Sequence, residues 1–248
     1  EDLKVTLLTG ASLGHGTDAA LAESNALSKR LPFQVDTVLR KAINKGDVLF
    51  IDQHLGESSE HILNGQFKID IAVLEVTEIL EDGSLVPTTS IGNNIEIANS
   101  ADKIILEINT AVPTSIRGVH DIYTVEEYGQ RTAVNITASD SKIGSDVIKI
   151  DPSKVVGIVF HDIVDMAGDI APADEATTAI AQNIVKFFEK EVAEGKLTKS
   201  LMPLQCGIGK VANAVLGGLE NSDFENLVMY SEVLQDSTFD LIDSGKMT

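Results

Sequence analysis

Short runs of consecutive apolar residues alternate along the chain with segments whose apolar positions recur three and four residues apart. Strands buried on both faces read as continuous apolar runs, whereas the helices covering them carry one apolar stripe, so the alternation predicts an α/β fold with a mostly parallel sheet flanked by helices. The runs predict strands at 5–8, 48–51, 69–76, 103–108, 155–160 and 226–230. The striped segments predict helices at 17–29, 35–44, 57–64, 175–194, 210–220 and 238–243. The clearest is 175–194, where Ile180, Ile184, Phe187, Phe188 and Val192 keep helical spacing and Gly195 suits a left-handed stop. Its aromatics read as core, not as a binding box. Asp82-Gly83 separates two apolar arms between 79 and 86 and predicts a tight hairpin, an antiparallel feature. Residues 110–153 carry weak periodicity with scattered Gly, Pro, Ser and Asp, which predicts loops and short strands. There is no internal repeat and no low-complexity tract.

Composition narrows the class. A chain of 248 residues that is 43% hydrophobic can bury one large core or two modest ones. Cys206 is the single cysteine, so no internal disulfide forms, and a cytosolic or organelle-matrix compartment fits better than a secreted one. The formal net charge of −19 argues against a nucleic-acid partner, whose phosphates need clustered Lys and Arg, and reads instead as a solvated surface. No apolar stretch reaches the roughly 18 residues of a membrane span. Residues 1–20 lack the basic start and apolar region of a secretory signal. The sequence begins without Met and ends on Lys246-Met247-Thr248, and is expected to be an excerpt of a longer protein.

Chemistry is less legible. After the first predicted strand, Thr9-Gly10-Ala11-Ser12-Leu13-Gly14-His15-Gly16 matches the T-G-x-x-x-G-x-G loop of short-chain dehydrogenases, where glycines let a pyrophosphate approach a helix start. That chemistry also needs a tyrosine with lysine four residues on. Tyr123, Tyr128 and Tyr230 are followed at that spacing by Glu127, Thr132 and Leu234, so the glycines read better as a turn that shapes a pocket. His15, His54, His61, His120 and His161 are scattered, with no H-x-x-x-H face and no cysteine cluster, which predicts no metal site. No G-x-S-x-G elbow is present.

One carboxylate stands out. Pro203-Leu204-Gln205-Cys206-Gly207-Ile208-Gly209 punctuates a loop that opens the helix predicted at 210–220, and Tyr230-Ser231-Glu232-Val233 ends the strand predicted at 226–230. Free amides near Ile208 and Gly209 at a helix start suit a negative oxygen, and Glu232 is expected beside them, at the carboxyl end of a strand. Taken alone, the spacing favours the plainer reading, in which Glu232 caps the helix near 238 or lies on a solvated surface.

The run PLQCGIGKVANAVLGGLENSDFENLVMYSEVLQDSTFDLIDSGKMT resembles the signature of the acetyl-CoA hydrolase/transferase family, which belongs to the class I CoA-transferases. LLTGASLG, LRKAINKGDVLFIDQHLG, IDIAVLEVTEILEDGSLVPTTSIGNN, ADKIILEIN, GVHDIY and APADEATTAIAQNIVKFFEKEVAEGKL resemble further family segments in the same order, so the likeness covers nearly the whole chain.

The resemblance implies a CoA-transferase (NagB/RpiA-like) fold, with residues 1–200 as an N-terminal domain lacking its first residues and 201–248 as the start of a second, similar domain. It implies an acyl-CoA:carboxylate CoA-transferase of the acetyl-CoA/succinyl-CoA type, working through a glutamyl-CoA thioester on Glu232. The Ile208 amide is implied as oxyanion donor. Gly207, Gly209, Gln205 and Asn213 are implied around the oxyanion and the CoA substrate, and Ser12 in a small-acid pocket. No metal and no permanently bound cofactor are implied; coenzyme A is a substrate. Acyl-CoA and a small carboxylic acid are the expected partners, with a homodimer in the cytoplasm or, alternatively, the mitochondrial matrix. Acetyl-CoA hydrolysis at the same site is the first alternative, an NAD(P)-dependent short-chain dehydrogenase a more distant one, and a CoA- or acid-binding module without turnover a third. Family members run to about twice this length, so the 248-residue piece alone is expected to be inactive. Two departures from the family pattern are Lys210, where asparagine is implied, and the absence of an arginine from 161–168.

Overall fold

The computed structural model describes residues 3–13, 16–124, 126, 129–138, 140–164 and 172–248. Gly14 and His15 of the glycine-rich loop, Glu127 and Tyr128 from two of the tyrosine pairs, and 165–168 of the stretch without an arginine lie outside the described residues. The chain divides into two compact units, 1–135 with 142–164, and 136–141 with 165–248. The helix at 175–193, which sequence grouped with residues 1–200, therefore packs among the elements that follow it.

The first unit opens with β1 (Val5–Leu8), α1 (Thr17–Glu23), β2 (Leu27–Leu31), α2 (Thr37–Lys45), β3 (Leu49–Phe50) and α3 (Leu55–Leu63). The three strands form a parallel sheet in the order β1-β2-β3. Leu27, Leu39 and Val48 are its buried centre, with Val5, Leu7, Leu21 and Ile43 packed around them. The helix expected over 17–29 stops at Glu23. Asn25 takes a left-handed φ of 57°, which breaks the helix, and Leu27–Leu31 become the middle strand. Lys29 closes the expected helix, whereas in the structure it lies in the strand beside Arg30, which is fully buried. Helix α2 starts at Thr37 because the Asp36 carboxylate accepts the Val38 and Leu39 amides at 2.8 and 2.9 Å, an N-cap that satisfies two otherwise free donors.

The same unit continues with β4 (Ile71–Ile79), β5 (Leu85–Pro87), α4 (Asn94–Ser100), β6 (Lys103–Asn109) and β7 (Val155–His161). These strands form a sheet in the order β5-β4-β6-β7, parallel throughout except for β5. The expected hairpin is present: Gly83 has φ 82°, and the Ser84 amide donates to the Asp82 carboxylate at 2.9 Å. One face of β4 and β6 buries Ala72, Leu74, Val76, Ile104 and Leu106 against Leu85, Ala98 and Ile148. Strand β7 differs from the expected doubly buried strand, for it is the sheet's edge and leaves Val156, Ile158, Val159 and Phe160 exposed. Helix α4 lies in a stretch for which the sequence reading assigned no element.

The second unit holds α5 (Glu175–Ala193), α6 (Lys210–Glu220) and α7 (Asp236–Asp243) around Leu201, Leu216, Leu219, Phe224, Leu227 and Leu241. Helix α5 begins on a capping box between Asp174 and Thr177, and Gly195, at φ 74°, follows its end as the sequence suggests. The strand expected at 226–230 is reduced to single parallel bridges, Leu204 to Met229 and Leu227 to Met247. Asn226 enters with φ 54°, which interrupts an extended run. Among the described residues no helix is long and apolar enough to cross a membrane.

Candidate functional site

In the second unit the segment 228–235 lies along the loop 204–209. The Leu204 amide donates to the Val228 carbonyl and the Tyr230 amide to the Leu204 carbonyl, both at 2.9 Å. One step on, the Ser231 hydroxyl accepts from the Cys206 amide at 3.2 Å and donates to the Cys206 carbonyl at 2.9 Å. The Gln235 side chain then closes the loop: its Oε1 accepts the Gly209 amide at 3.0 Å, and its Nε2 donates to the Gly207 carbonyl at 2.8 Å and to Cys206 Sγ at 3.2 Å. Glu232 stands between these two tethers. Its side chain is exposed and makes no hydrogen bond or ion pair with a described residue.

Gly209 adopts φ 131°, a conformation that side chains with a Cβ rarely reach, and hands the chain to α6 without any side-chain cap. The amides of Gly207 and Ile208 donate to no described residue, and Ile208 is 78% exposed. Lys210, the first residue of α6, adds a positive charge to the positive end of the helix dipole and is countered by Asp174, whose Oδ2 lies 2.6 Å from its Nζ. The Lys210 ammonium, followed by the Thr177 amide and hydroxyl, holds the Asp174 carboxyl far below the usual carboxylate range. Burial pushes the Cys206 thiol up, so Cys206 is a poor nucleophile here. An apolar cavity of about 570 Å³ adjoins the loop, lined by Ile184, Phe188, Leu204, Ile208, Val215 and Leu219 among others. That volume is in the range of small-molecule pockets.

The first unit carries two polar arrangements of its own. Thr9 follows β1, and its hydroxyl accepts from Arg30 Nη1 at 2.9 Å and donates to the Ala11 carbonyl. Arg30 is anchored by Asp18, Nε to Oδ1 at 2.9 Å, with both side chains fully buried. The turn that carries Ser12 is therefore held from beneath by a buried ion pair. A Cβ on Gly10 would meet the Asn93 amide nitrogen at 3.1 Å and Gly92 Cα at 3.2 Å, so glycine there admits a second loop against the first. Elsewhere in the unit, Glu75 on β4 accepts from Asn109 Nδ2 at 2.8 Å and from the Thr88 hydroxyl at 3.0 Å, with His161 Nε2 at 3.7 Å from the same carboxylate. His120 is buried, with Nε2 2.9 Å from the Thr88 carbonyl.

The acetyl-CoA hydrolase/transferase N-terminal domain matches residues 1–160. The chain belongs to this family. It is 43% identical to "Acetyl-CoA hydrolase" of Schizosaccharomyces pombe over 252 aligned positions, covering 99% of this chain and 48% of that protein. It is 39% identical to "Succinyl-CoA:acetate CoA-transferase" of Clostridium kluyveri, covering 99% of this chain and 46% of that one. The chain thus spans about half the length of the relatives it matches. Among solved structures it resembles RipA from Yersinia pestis, with a TM-score of 0.60, 21% identity and coverage of 92% of this chain and 45% of RipA. It also resembles a 4-hydroxybutyrate CoA-transferase from Porphyromonas gingivalis, with a TM-score of 0.56, 20% identity and coverage of 96% and 53%. The α/β architecture with mostly parallel sheets flanked by helices is shared with these structures.

For this member of the acetyl-CoA hydrolase/transferase family, the geometry sorts the residues singled out by sequence. Gln205, Gly207, Ile208 and Gly209 share one loop, pinned to the segment that carries Glu232. The Gly209 amide, expected to be free for an oxyanion, is engaged by Gln235, so that expectation is corrected, and the Gly207 and Ile208 amides are the ones left open among the described residues. Asn213 ties α6 to α7, for its Oδ1 accepts the Ser237 amide at 3.2 Å and its carbonyl accepts the Ser237 hydroxyl at 2.9 Å. Ser12 lies half-buried in the first unit. Sequence reasoning gave no role to Ser231, Gln235, Asp174 or Arg30. Gln235 had a signal, since it stands three residues after Glu232 within the YSEVLQD stretch of the run that carries the family resemblance; the buried Arg30–Asp18 pair had none.

Proposed function

We propose that the complete polypeptide transfers coenzyme A between an acyl-CoA and a small carboxylate, with Glu232 as nucleophile. The observation that carries this reading is the pinning of the Glu232 segment, by Ser231 on one side and Gln235 on the other, to a loop with unengaged amides at Gly207 and Ile208. A carboxylate oxygen of Glu232 attacks the thioester carbonyl; the C–S bond breaks, CoA leaves as thiolate and a mixed anhydride remains. The thiolate then attacks the glutamyl carbonyl, the bond to the acyl group's carboxyl oxygen breaks, and the free acid departs from a glutamyl-CoA thioester. An incoming acid reverses these steps and leaves as a new acyl-CoA. Covalent catalysis divides one difficult exchange into easier ones. Each tetrahedral intermediate carries an oxyanion, for which the Ile208 amide is the suited donor, an interaction commonly worth on the order of 10²-fold in rate.

Hydrolysis is the second reading, favoured by the 43% identity to a protein named "Acetyl-CoA hydrolase": water that reaches the glutamyl thioester cleaves it. Both activities use the same intermediate. The test is mass spectrometry of the complete polypeptide after acetyl-CoA and then hydroxylamine or borohydride. Modification of the Glu232 peptide is expected, together with loss of exchange and hydrolysis in Glu232→Ala. An unmodified Glu232 with activity surviving in Glu232→Ala would sink the assignment. Label passing from acetate into acetyl-CoA identifies transfer; release of acetate alone identifies hydrolysis.

A further inference from the structure

The Gln235 carboxamide uses both of its ends on one loop. It is 3% exposed, its oxygen takes the Gly209 amide, and its nitrogen reaches the Gly207 carbonyl and Cys206 Sγ. A carboxamide offers a donor and an acceptor in one fixed plane, and Gln235 uses that plane as a neighbouring strand uses its backbone. The consequence lies in the peptide between Gly207 and Ile208, which is trans. In a trans peptide the C=O and N–H point in opposite directions. Drawing the Gly207 carbonyl toward Gln235 therefore turns the Ile208 N–H away from Gln235. The same side chain removes the Gly209 amide from competition.

We propose that Gln235 is the positioning residue of this loop, setting the direction of the Ile208 amide and leaving it as the donor for the oxyanion. The proposal rests on the transfer reading above for what the amide is used for, but not for how the loop is held. Ser231 fixes only the Cys206 end, so without Gln235 the Gly207–Ile208 peptide is free to turn over. Glu232, placed between the two tethers, keeps its backbone position through Ser231 and the Tyr230–Leu204 bond. A Gln235 variant is thus expected to lose the oxyanion donor while retaining the nucleophile.

Two measurements test this. In the 248-residue chain, amide hydrogen exchange read by NMR should show Gly209 protected and Ile208 fast. Gln235→Ala should speed Gly209 exchange about tenfold, as loss of a hydrogen bond of ordinary strength implies, while α5 amides keep their rates and show that the unit is folded. The near-isosteric Gln235→Glu keeps the acceptor and, when ionised, loses the donor; Gly209 should remain protected. In the complete polypeptide both variants should lower kcat on the order of 10²-fold, with KM for acyl-CoA within about twofold. Unchanged Gly209 exchange in Gln235→Ala overturns the positioning. Faster exchange with unaltered kcat overturns the role in turnover. A wild-type complete polypeptide that neither transfers nor hydrolyses overturns the functional reading, and the exchange rates separate that failure from the other two.

Discussion

Asp18 and Arg30 face each other inside the first unit with neither side chain reaching solvent, Nε to Oδ1 at 2.9 Å and Nη2 to Oδ2 at 3.2 Å. The two-point contact satisfies both carboxylate oxygens, and the remaining guanidinium nitrogen serves Thr9 and the Leu31 carbonyl. Removing one partner leaves an uncompensated buried charge, which typically costs about 3–5 kcal/mol. Asp18→Asn should therefore lower the urea midpoint of the chain by a corresponding amount. A loss below about 1 kcal/mol, the worth of an exposed pair, would contradict the buried geometry.

The contact at Gly10 predicts a second effect. Its neighbours are backbone atoms of Gly92 and Asn93, which cannot swing aside as a side chain would. Gly10→Ala should destabilise by about 1–3 kcal/mol, the usual range for overpacking. Thermal melts of the variant beside wild type measure it, and an unchanged melting temperature would mean that the two loops do not meet.

Gly207 and Gly209 should respond differently although they are two residues apart. No atom crowds a Cβ at either position, but only Gly209 has positive φ, at 131°. Gly209→Ala should cost about 1–3 kcal/mol through backbone strain, whereas Gly207→Ala should stay within about 0.5 kcal/mol. Equal melting temperatures for the two variants would remove the strain assignment.

Asp174 gives the second unit an acid-sensitive anchor. Its carboxyl is held low first by the Lys210 ammonium and then by Thr177, so the folded state favours the ionised form. The resulting stability is fully present above the unfolded carboxyl pKa of about 3.9 and is lost as pH falls toward the depressed folded value. Wild type should melt higher than Asp174→Asn at pH 6, and the gap should shrink progressively below about pH 4. A gap that widens on acidification would refute this sign.

Glu96 runs the other way. It is 3% exposed on α4, and burial raises its carboxyl pKa, so the folded state favours the protonated form. Its contribution is fully present below the unfolded value of about 4.3 and is lost as pH rises through the raised folded value. Glu96→Gln should therefore melt above wild type at pH 7 and converge with it below about pH 4. Lower stability of Glu96→Gln at pH 7 would show that the carboxylate has a stabilising partner.

Periodicity located most of the helices and strands, because an element that buries one face must repeat its apolar residues at that element's period. Helix α6 matches its expected limits, and α5 differs by one residue. The failures have physical causes. Strand β2 was hidden because its middle residues, Lys29 and Arg30, are charged; only a partner twelve residues away, Asp18, makes a buried arginine tolerable. The strand expected at 226–230 has the composition of one, but Asn226 turns at its start and pairing is limited to single bridges.

The site divides in the same way. Local sequence and family resemblance were enough to single out Glu232, Ile208 and their glycines, since motif spacing is a property of the chain itself. Which amide remains open was decided by folding, because a donor's availability depends on what else reaches it. The Gly209 N–H is taken by a side chain 26 residues away, and the Gly207 and Ile208 N–H groups are left. The buried support beneath Thr9 is likewise a matter of three dimensions: Asp18 and Arg30 carry ordinary surface-type side chains, and only their mutual enclosure makes them structural.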